Sequence, residues 1–196
     1  RAATIGARVL AAARRVPPLP RCAMTPVLLV PLDGSDNADV ALPVALAFAR
    51  RLGAELRLGA ELRLVAVHVA PASAHVDRAA LLGVGDAARA MRDDLRDRLA
   101  RAAARVRAAG IAVHEVLVDG ADPARELVAR AGIGDVRLVV MTTHARGALE
   151  RAVFGSVADR VVREAPVPVV VVPPAHGEAG DWAPRRIVVP LDGSAA

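Results

Sequence analysis

The sequence predicts an α/β fold: an open parallel sheet of five strands with helices on both faces. Three observations predict it. Short apolar runs alternate with longer amphipathic stretches along most of the chain. The helical stretches begin or end at residues that cap helices. One strand with its following turn, Val30-Pro31-Leu32-Asp33-Gly34-Ser35, recurs one domain length later as Val189-Pro190-Leu191-Asp192-Gly193-Ser194. Strand and helix in alternation give crossover units whose parallel sheet must be covered on both sides.

Taken in order, residues 27–32 are a continuous apolar run, read as a buried strand. Residues 38–52 read as a helix with Leu42, Ala45, Leu46 and Ala49 on one face. There the hexapeptide Arg51-Leu52-Gly53-Ala54-Glu55-Leu56 is repeated at once as Arg57-Leu58-Gly59-Ala60-Glu61-Leu62. One copy can finish the helix and the other can start the next strand. The i, i+4 spacing of Leu52 and Leu56 predicts that the helix extends, with Gly59 as its new C-cap. Residues 62–69 are the second strand. Residues 86–109 are a long helix with Met91, Leu95, Leu99, Ala102 and Val106 in register, ended by Gly110. Residues 111–118 are the third strand. Asp122 and Pro123 open the next helix as N-cap and first-turn proline. Residues 136–141 are the fourth strand, 156–164 a short helix, and 168–172 the fifth strand, stopped by Pro173-Pro174.

The repeat divides the chain of 196 residues. Residues 1–25 are expected to be a disordered or non-native leader, with Met24 a candidate start. Residues 26–174 form a complete domain, 175–184 a linker, and 185–196 the first strand of a truncated second copy. Every basic residue is Arg, a pattern expected of a GC-rich genome. Residues 1–23 hold Arg1, Arg8, Arg14, Arg15 and Arg21 with no acid, which leaves 21 basic residues against 21 acidic ones in the body. Its aromatics are Phe48, Phe154 and Trp182. A formally neutral body without stacking side chains argues against a nucleic-acid partner. No apolar run approaches the roughly 18 residues of a membrane span, so a soluble, cytoplasmic protein with no membrane partner is expected. Cys22 stands alone and can form no internal disulfide. The chain lacks a Walker lysine, a Gly-x-Ser-x-Gly elbow, a His-Glu-x-x-His pair and a Rossmann glycine fingerprint, which excludes the enzyme classes that need them.

In an open parallel sheet, ligands bind at the C-terminal strand ends where the winding direction reverses. The candidate turns are Asp33-Gly34-Ser35 after strand one, and the stretch from Thr142 to Gly147 after strand four, followed by Gly155-Ser156 at a helix start. These motifs, with Val67-His68-Val69 and the run Ala165-Pro166-Val167-Pro168-Val169-Val170-Val171-Val172, resemble the universal stress protein family over residues 26–173 and again over 185–194. The resemblance implies a three-layer Rossmann-like fold of the adenine nucleotide α-hydrolase kind, with strand order 3-2-1-4-5. It implies an ATP-binding module of the stress response, at most a slow hydrolase, with Mg²⁺ near the phosphates. ATP-binding members carry a glycine, two residues, a glycine, nine residues, then Gly-Ser or Gly-Thr. The matching positions here are Thr142, Ala145, Gly155 and Ser156, so both leading glycines are replaced. Glycine there lets backbone approach nucleotide closely; Thr142 adds a branched side chain and Ala145 a methyl.

The ligand contacts expected on this resemblance are Pro31, Asp33, Val69, Met141, Thr142, Ala145, Gly155, Ser156 and Val157. Arg146 joins them as a cation that would neutralise phosphate. Gly155 and Ser156 would offer amides and a hydroxyl to phosphates, Asp33 would meet the ribose or Mg²⁺, and Val69 would face the base. Plainer readings stand beside these. Ser156 with Asp159 resembles a capping box, and Asp33-Gly34-Ser35 is a good turn. His144 is a candidate acid or base without a nucleophile near it in sequence. His68 reads as a satisfied core or interface residue, and the charges of 92–98 as a solvated helix face. A different class of function is a scaffold that has lost the nucleotide. It would work through the edge strand Val169–Val172, which the family uses for pairing, as a homodimer or a pseudo-dimer with the missing second domain. A third is a nucleotide-cleaving enzyme.

Overall fold

The computed structural model describes residues 25–33, 35, 40–56, 60–69, 78–142 and 155–173. Most of the leader, the linker and the repeat at 185–196 lie outside the described residues, as do Gly59, His144, Ala145 and Arg146. The elements are β1 (Val27–Leu32), α1 (Ala41–Leu56), β2 (Glu61–His68), α2 (Arg78–Ala108), β3 (Ala112–Asp119), α3 (Pro123–Ala131), β4 (Val136–Thr142), α4 (Ser156–Glu164) and β5 (Val169–Val172). The strands form one parallel sheet in the order β3-β2-β1-β4-β5, as the sequence predicts.

Strand alternation sorts the core into two layers. Leu28, Val30 and Leu32 of β1 share one face with Leu62, Leu64, Ala66, Leu138, Val140, Val170 and Val172; α1 and α2 cover it with Leu42, Ala45, Ala49, Leu95, Leu99 and Val106. Val27 and Leu29 turn the other way, beside Val65, Val139, Met141, Val169 and Val171, under Ala124, Leu127, Ala131, Ala158, Val161 and Val162 of α3 and α4. Covered on both faces, strands read as unbroken apolar runs. Each fully buried Leu contributes about 1.5–3 kcal/mol. In β4 the register slips by one residue: Val27 pairs with Val136 but Leu28 with Leu138. The extra residue is Arg137, whose guanidinium donates to the Gly134 carbonyl at 2.9 Å. The slip puts Val136 and Val139 on the same face despite their odd spacing.

Helix boundaries follow caps and propensity. α1 runs through the first hexapeptide copy to Leu56, and the second copy ends inside β2. Gly110, at φ 76°, closes α2, with Gly110 N–H donating to Arg107 O at 2.9 Å. Asp122 caps α3 by accepting from the Arg125 amide at 3.1 Å, and Pro123 takes the first turn. Two expectations for α2 are corrected. The helix begins at Arg78 rather than residue 86: the Arg-Ala-Ala-Leu-Leu stretch is strongly helix-forming and carries it through Gly83 and Gly85. Met91, expected in the buried register, is 60% exposed. Leu95 and Leu99 lie over the sheet, but one turn earlier the helix has passed the strand ends, where Arg92 meets Asp119, the last residue of β3.

At the opposite end of the sheet, Arg63 of β2 reaches across to Asp135, just before β4, with Nη1 and Nη2 donating at 3.2 and 2.8 Å. Both side chains are 17% exposed. The backbone of Asp135 also accepts from Val27 N–H at 3.0 Å. This fork ties together the entries of β2, β1 and β4. The Arg63 guanidinium holds the Asp135 carboxyl below its usual range. A depressed folded value means that the stabilisation is complete above the unfolded pKa near 3.9 and is lost as pH falls through the folded value. Asp135→Asn is therefore expected to cost about 1–3 kcal/mol at pH 7. In urea titrations its difference from the unmutated chain should shrink in acid; a constant difference would show that the pair is not the source.

Candidate functional site

The sheet opens where its winding reverses. β1 pairs with β2 along its full length, from Val27↔Glu61 to Leu32↔Ala66. Its pairing with β4 ends at Leu29↔Val139, although both strands run three residues further. β4 instead stays with β5 as far as Thr142↔Val172. Above Leu29 and Val139, then, β1 keeps only β2 as a ladder partner and β4 only β5, at the switch point where open α/β sheets hold their ligand crevice. Pro31, which has no N–H to give, stands in the stretch of β1 that has lost one neighbour. The helices explain the parting: α1 and α2 cover one face and α3 and α4 the other.

The expected site residues divide around this crevice. Pro31 and the exposed Asp33 stand at the end of β1, and Met141 and Thr142 at the end of β4. Val69 comes one residue after β2, which closes at His68, and is 38% exposed. Gly155, Ser156 and Val157 begin α4, whose C-terminal end leads into the start of β5, so its N-terminal end is directed toward the end of the sheet where β1 and β4 close. Asp33 forms the turn that its sequence allows: Oδ1 accepts from the Ser35 amide at 2.9 Å and hydroxyl at 2.7 Å. The capping-box reading of Ser156 is corrected. Gly155 is the N-cap, no side chain caps the helix, and Ser156 is an exposed first-turn residue. Thr142 is 6% exposed and falls, by alternation, with Leu138 and Val140 on the α1/α2 face. Among the described residues no three His, Cys, Asp or Glu side chains are grouped to hold a metal, and no helix is long and apolar enough to cross a membrane.

Two side-chain clusters at this end of the sheet were not foreseen. Arg160 on α4 donates to Asp122 at 2.5 Å and to Glu164 at 3.0 Å, so the residue that caps α3 also holds the first turns of α4. The Arg125 amide first, and then Arg160, keep the Asp122 carboxyl below its usual range, while Asp122 and Glu164 raise Arg160. On the other side, His68 is buried with Nδ1 3.1 Å from Asp119, which Arg92 grips with two donors at 2.9 and 3.0 Å. The plain reading of His68 as a satisfied core residue holds for one nitrogen; Nε2 is buried and has no hydrogen-bond partner among the described residues. Asp122 and Arg160 are far apart in sequence and carry no joint signal. His68 and Asp119 do carry one, as polar residues ending adjacent apolar runs.

A doubly wound α/β fold with a crevice at its switch point is the architecture of a small-molecule-binding domain. Comparison makes the class specific. Residues 24–173 match the profile of the Universal stress protein family, and the chain belongs to that family. A universal stress protein of Methanocaldococcus jannaschii is 29% identical over 145 residues, covering 74% of this chain and 80% of the relative. A structure of a universal stress protein family member from Burkholderia pseudomallei is 30% identical, covers 75% of this chain and 95% of its own, and superposes with a TM-score of 0.50. A universal stress protein solved in complex with cAMP is 25% identical over 77% of this chain and 98% of its own, with a TM-score of 0.53.

If Asp122 has two duties, its substitutions should separate. Asp122→Asn keeps an N-cap acceptor for Arg125 but loses the ion pair with Arg160; Asp122→Ala loses both. Thermal melts should rank the unmutated chain above Asn and Asn above Ala. Hydrogen exchange at the Asp159 amide, which donates to the Gly155 carbonyl at 2.9 Å, should quicken in both variants, and unchanged exchange there would remove the link to α4.

Proposed function

We propose that this chain is a nucleotide-binding universal stress protein domain that takes ATP in the crevice between β1 and β4 and does not turn it over at any useful rate. The parting of those strands above Leu29 and Val139 is the observation that carries the reading. In it the phosphates lie at the start of α4, where Gly155 leaves first-turn amides without a side-chain cap. The base lies toward Val69, the exposed apolar residue at the end of β2. The complex of a similar universal stress protein with cAMP supports an adenine nucleotide as the ligand class. Mg²⁺ would arrive with the triphosphate, which supplies most of its oxygen ligands, and Asp33 is the carboxylate on β1 that faces this end. Arg146 and Ala145 belong to the same reading as phosphate neighbours.

A second reading makes the domain a pairing scaffold. The two edges of the sheet differ in the right way. β3 carries His114, Glu115 and Asp119 exposed, which discourages strand addition, whereas β5 is four valines. We infer that β5 pairs with a second copy, or with a second domain continued from residue 185, through its outward backbone groups. The β5 side chains themselves are buried in the two core layers, Val170 at 4% exposed. A charge there would break the core rather than report on pairing.

Calorimetry with Mg-ATP decides the first reading. Saturation at about a hundredfold excess over Kd should stabilise the domain by about 2.7 kcal/mol; no heat and no thermal shift would sink it. Ser156→Glu gives the sharper test, because its two effects have opposite sign. An acid in the first turn of α4 should raise stability by about 0.3–1 kcal/mol while repelling phosphate and weakening ATP. Weakened ATP together with lost stability would mean simple damage.

For pairing, Val171→Pro is the variant of choice. The Pro168 carbonyl faces β4, so alternation turns the amide of Val171 outward, where Pro removes a donor without breaking the β4 ladder. Light scattering should show a dimer for the unmutated chain and a folded monomer for the variant; equal masses would place any interface elsewhere.

A further inference from the structure

The chain of contacts from Arg92 through Asp119 to His68 has a chemistry that fixes a proton. Arg92 Nε and Nη2 donate to the two oxygens of Asp119 at 2.9 and 3.0 Å. The guanidinium holds the Asp119 carboxyl below its usual range, so it stands as a carboxylate. A carboxylate only accepts hydrogen bonds. At 3.1 Å from Asp119 Oδ1, His68 Nδ1 must therefore be the donor. The rest of the ring is enclosed, with His68 5% exposed and Nε2 without a partner among the described residues. A buried N–H with no acceptor is the costlier of the two orphans, so Nε2 holds a lone pair rather than a proton.

The main chain at the same residue is held as well. The His68 carbonyl accepts from Gly120 N–H at 3.0 Å, which continues the β2/β3 pairing one step past Asp119. A Cβ at Gly120 would meet the Glu126 side chain at 3.0 Å, so a larger residue at this turn would have to displace it. Ring and backbone of His68 are thus anchored to β3 and, through Asp119, to α2. The next residue is Val69, which leaves the sheet and is exposed.

We propose that Arg92, Asp119 and His68 form a positioning chain that locks His68 as its Nδ1–H tautomer and so fixes Val69 as the base-side lip of the crevice. The proposal rests on the nucleotide reading given above. It predicts that the chain governs which base is accepted and leaves phosphate recognition at α4 untouched.

Ring nitrogen-15 spectra test the first half without any ligand. At neutral pH His68 should show a protonated Nδ1 and a bare Nε2; a proton on Nε2 overturns the proposal. Calorimetry with ATP, GTP and adenosine tests the second half on the unmutated chain and on His68→Leu, His68→Asn and Arg92→Met. The ATP-over-GTP preference should fall roughly fivefold in His68→Leu and Arg92→Met. It should stay within about twofold in His68→Asn, whose amide donates to Asp119 from the place of Nδ1. The ATP-over-adenosine ratio should not move in any variant. Arg92 is a surface residue, so its variant keeps the test alive if His68→Leu fails to fold. Equal base preference throughout overturns the proposal and leaves the nucleotide reading standing. No nucleotide bound by the unmutated chain ends that reading and the lip role with it, and the spectra then judge the tautomer alone.

Discussion

The parting of β1 from β4 governs everything at the functional end of this molecule. Up to Leu29 and Val139 the sheet is continuous, and Leu28, Leu29 and Val139 are fully buried. Above them each strand keeps one neighbour. The cause is topological. A right-handed crossover from a central strand to either side must place its helix on opposite faces of the sheet, so α1 and α2 fall on one face and α3 and α4 on the other. A close-packed floor makes the crevice stiff.

Arginine does the long-range electrostatic work. With no Lys in the chain, every designed ion pair uses a planar fork that can take both oxygens of a carboxylate. The pairs within one helix, such as Arg98 with Asp94 and Arg163 with Asp159, are exposed and count for little. Among the pairs that join separate elements are Arg63 with Asp135, Arg160 with Asp122, and Arg92 with Asp119. The first closes the sheet at the strand entries. The other two flank the crevice, one on the α3/α4 side and one on the α2 side. Their value lies in fixing the relative placement of elements that the apolar core alone would let slide.

Much of this was legible in the sequence, and the failures have physical causes. Apolar runs marked β1, β4 and β5 because both faces of each are buried; β2 and the more exposed edge strand β3 were legible in spite of Arg63, His114 and Glu115. Asp122-Pro123 and Gly110 gave helix ends because each has one favoured backbone role. The duplicated hexapeptide shows the limit of local reading. Glu55-Leu56 is helical and the identical Glu61-Leu62 is strand; position relative to the sheet decides, not the residues themselves. Met91 kept the helical register, but register does not say where the sheet beneath it stops. Ser156 looked like a cap because its spacing to Asp159 is right, yet Gly155 takes the cap position one residue earlier. Pro31, Asp33, Val69, Met141, Thr142, Gly155, Ser156 and Val157 were picked out by motif as expected ligand contacts. The cross-element partners of His68 and Asp122 needed coordinates, since parallel strands and packed helices bring together residues far apart in the chain.

Thr142 puts the two readings of the domain in contact. In a strand, successive side chains leave toward the faces, not toward the neighbouring strands. Thr142 is buried on the α1/α2 face, so its branched side chain occupies core rather than crevice. What the missing glycine removes is backbone latitude. A β-branched residue favours extended backbone, and here β4 stays extended to Thr142, still paired with Val172 at the end of β5. Thr142 thus suits the extended backbone that carries the ladder to Val172 and holds that end of β4, on the nucleotide reading the lip of the site, in one conformation. On the nucleotide reading, a stiff lip cannot wrap the phosphates, and their recognition shifts to the uncapped start of α4. That makes Gly155 and Ser156 the residues on which the ligand depends, and makes edge pairing and ligand binding two outcomes of one strand's geometry.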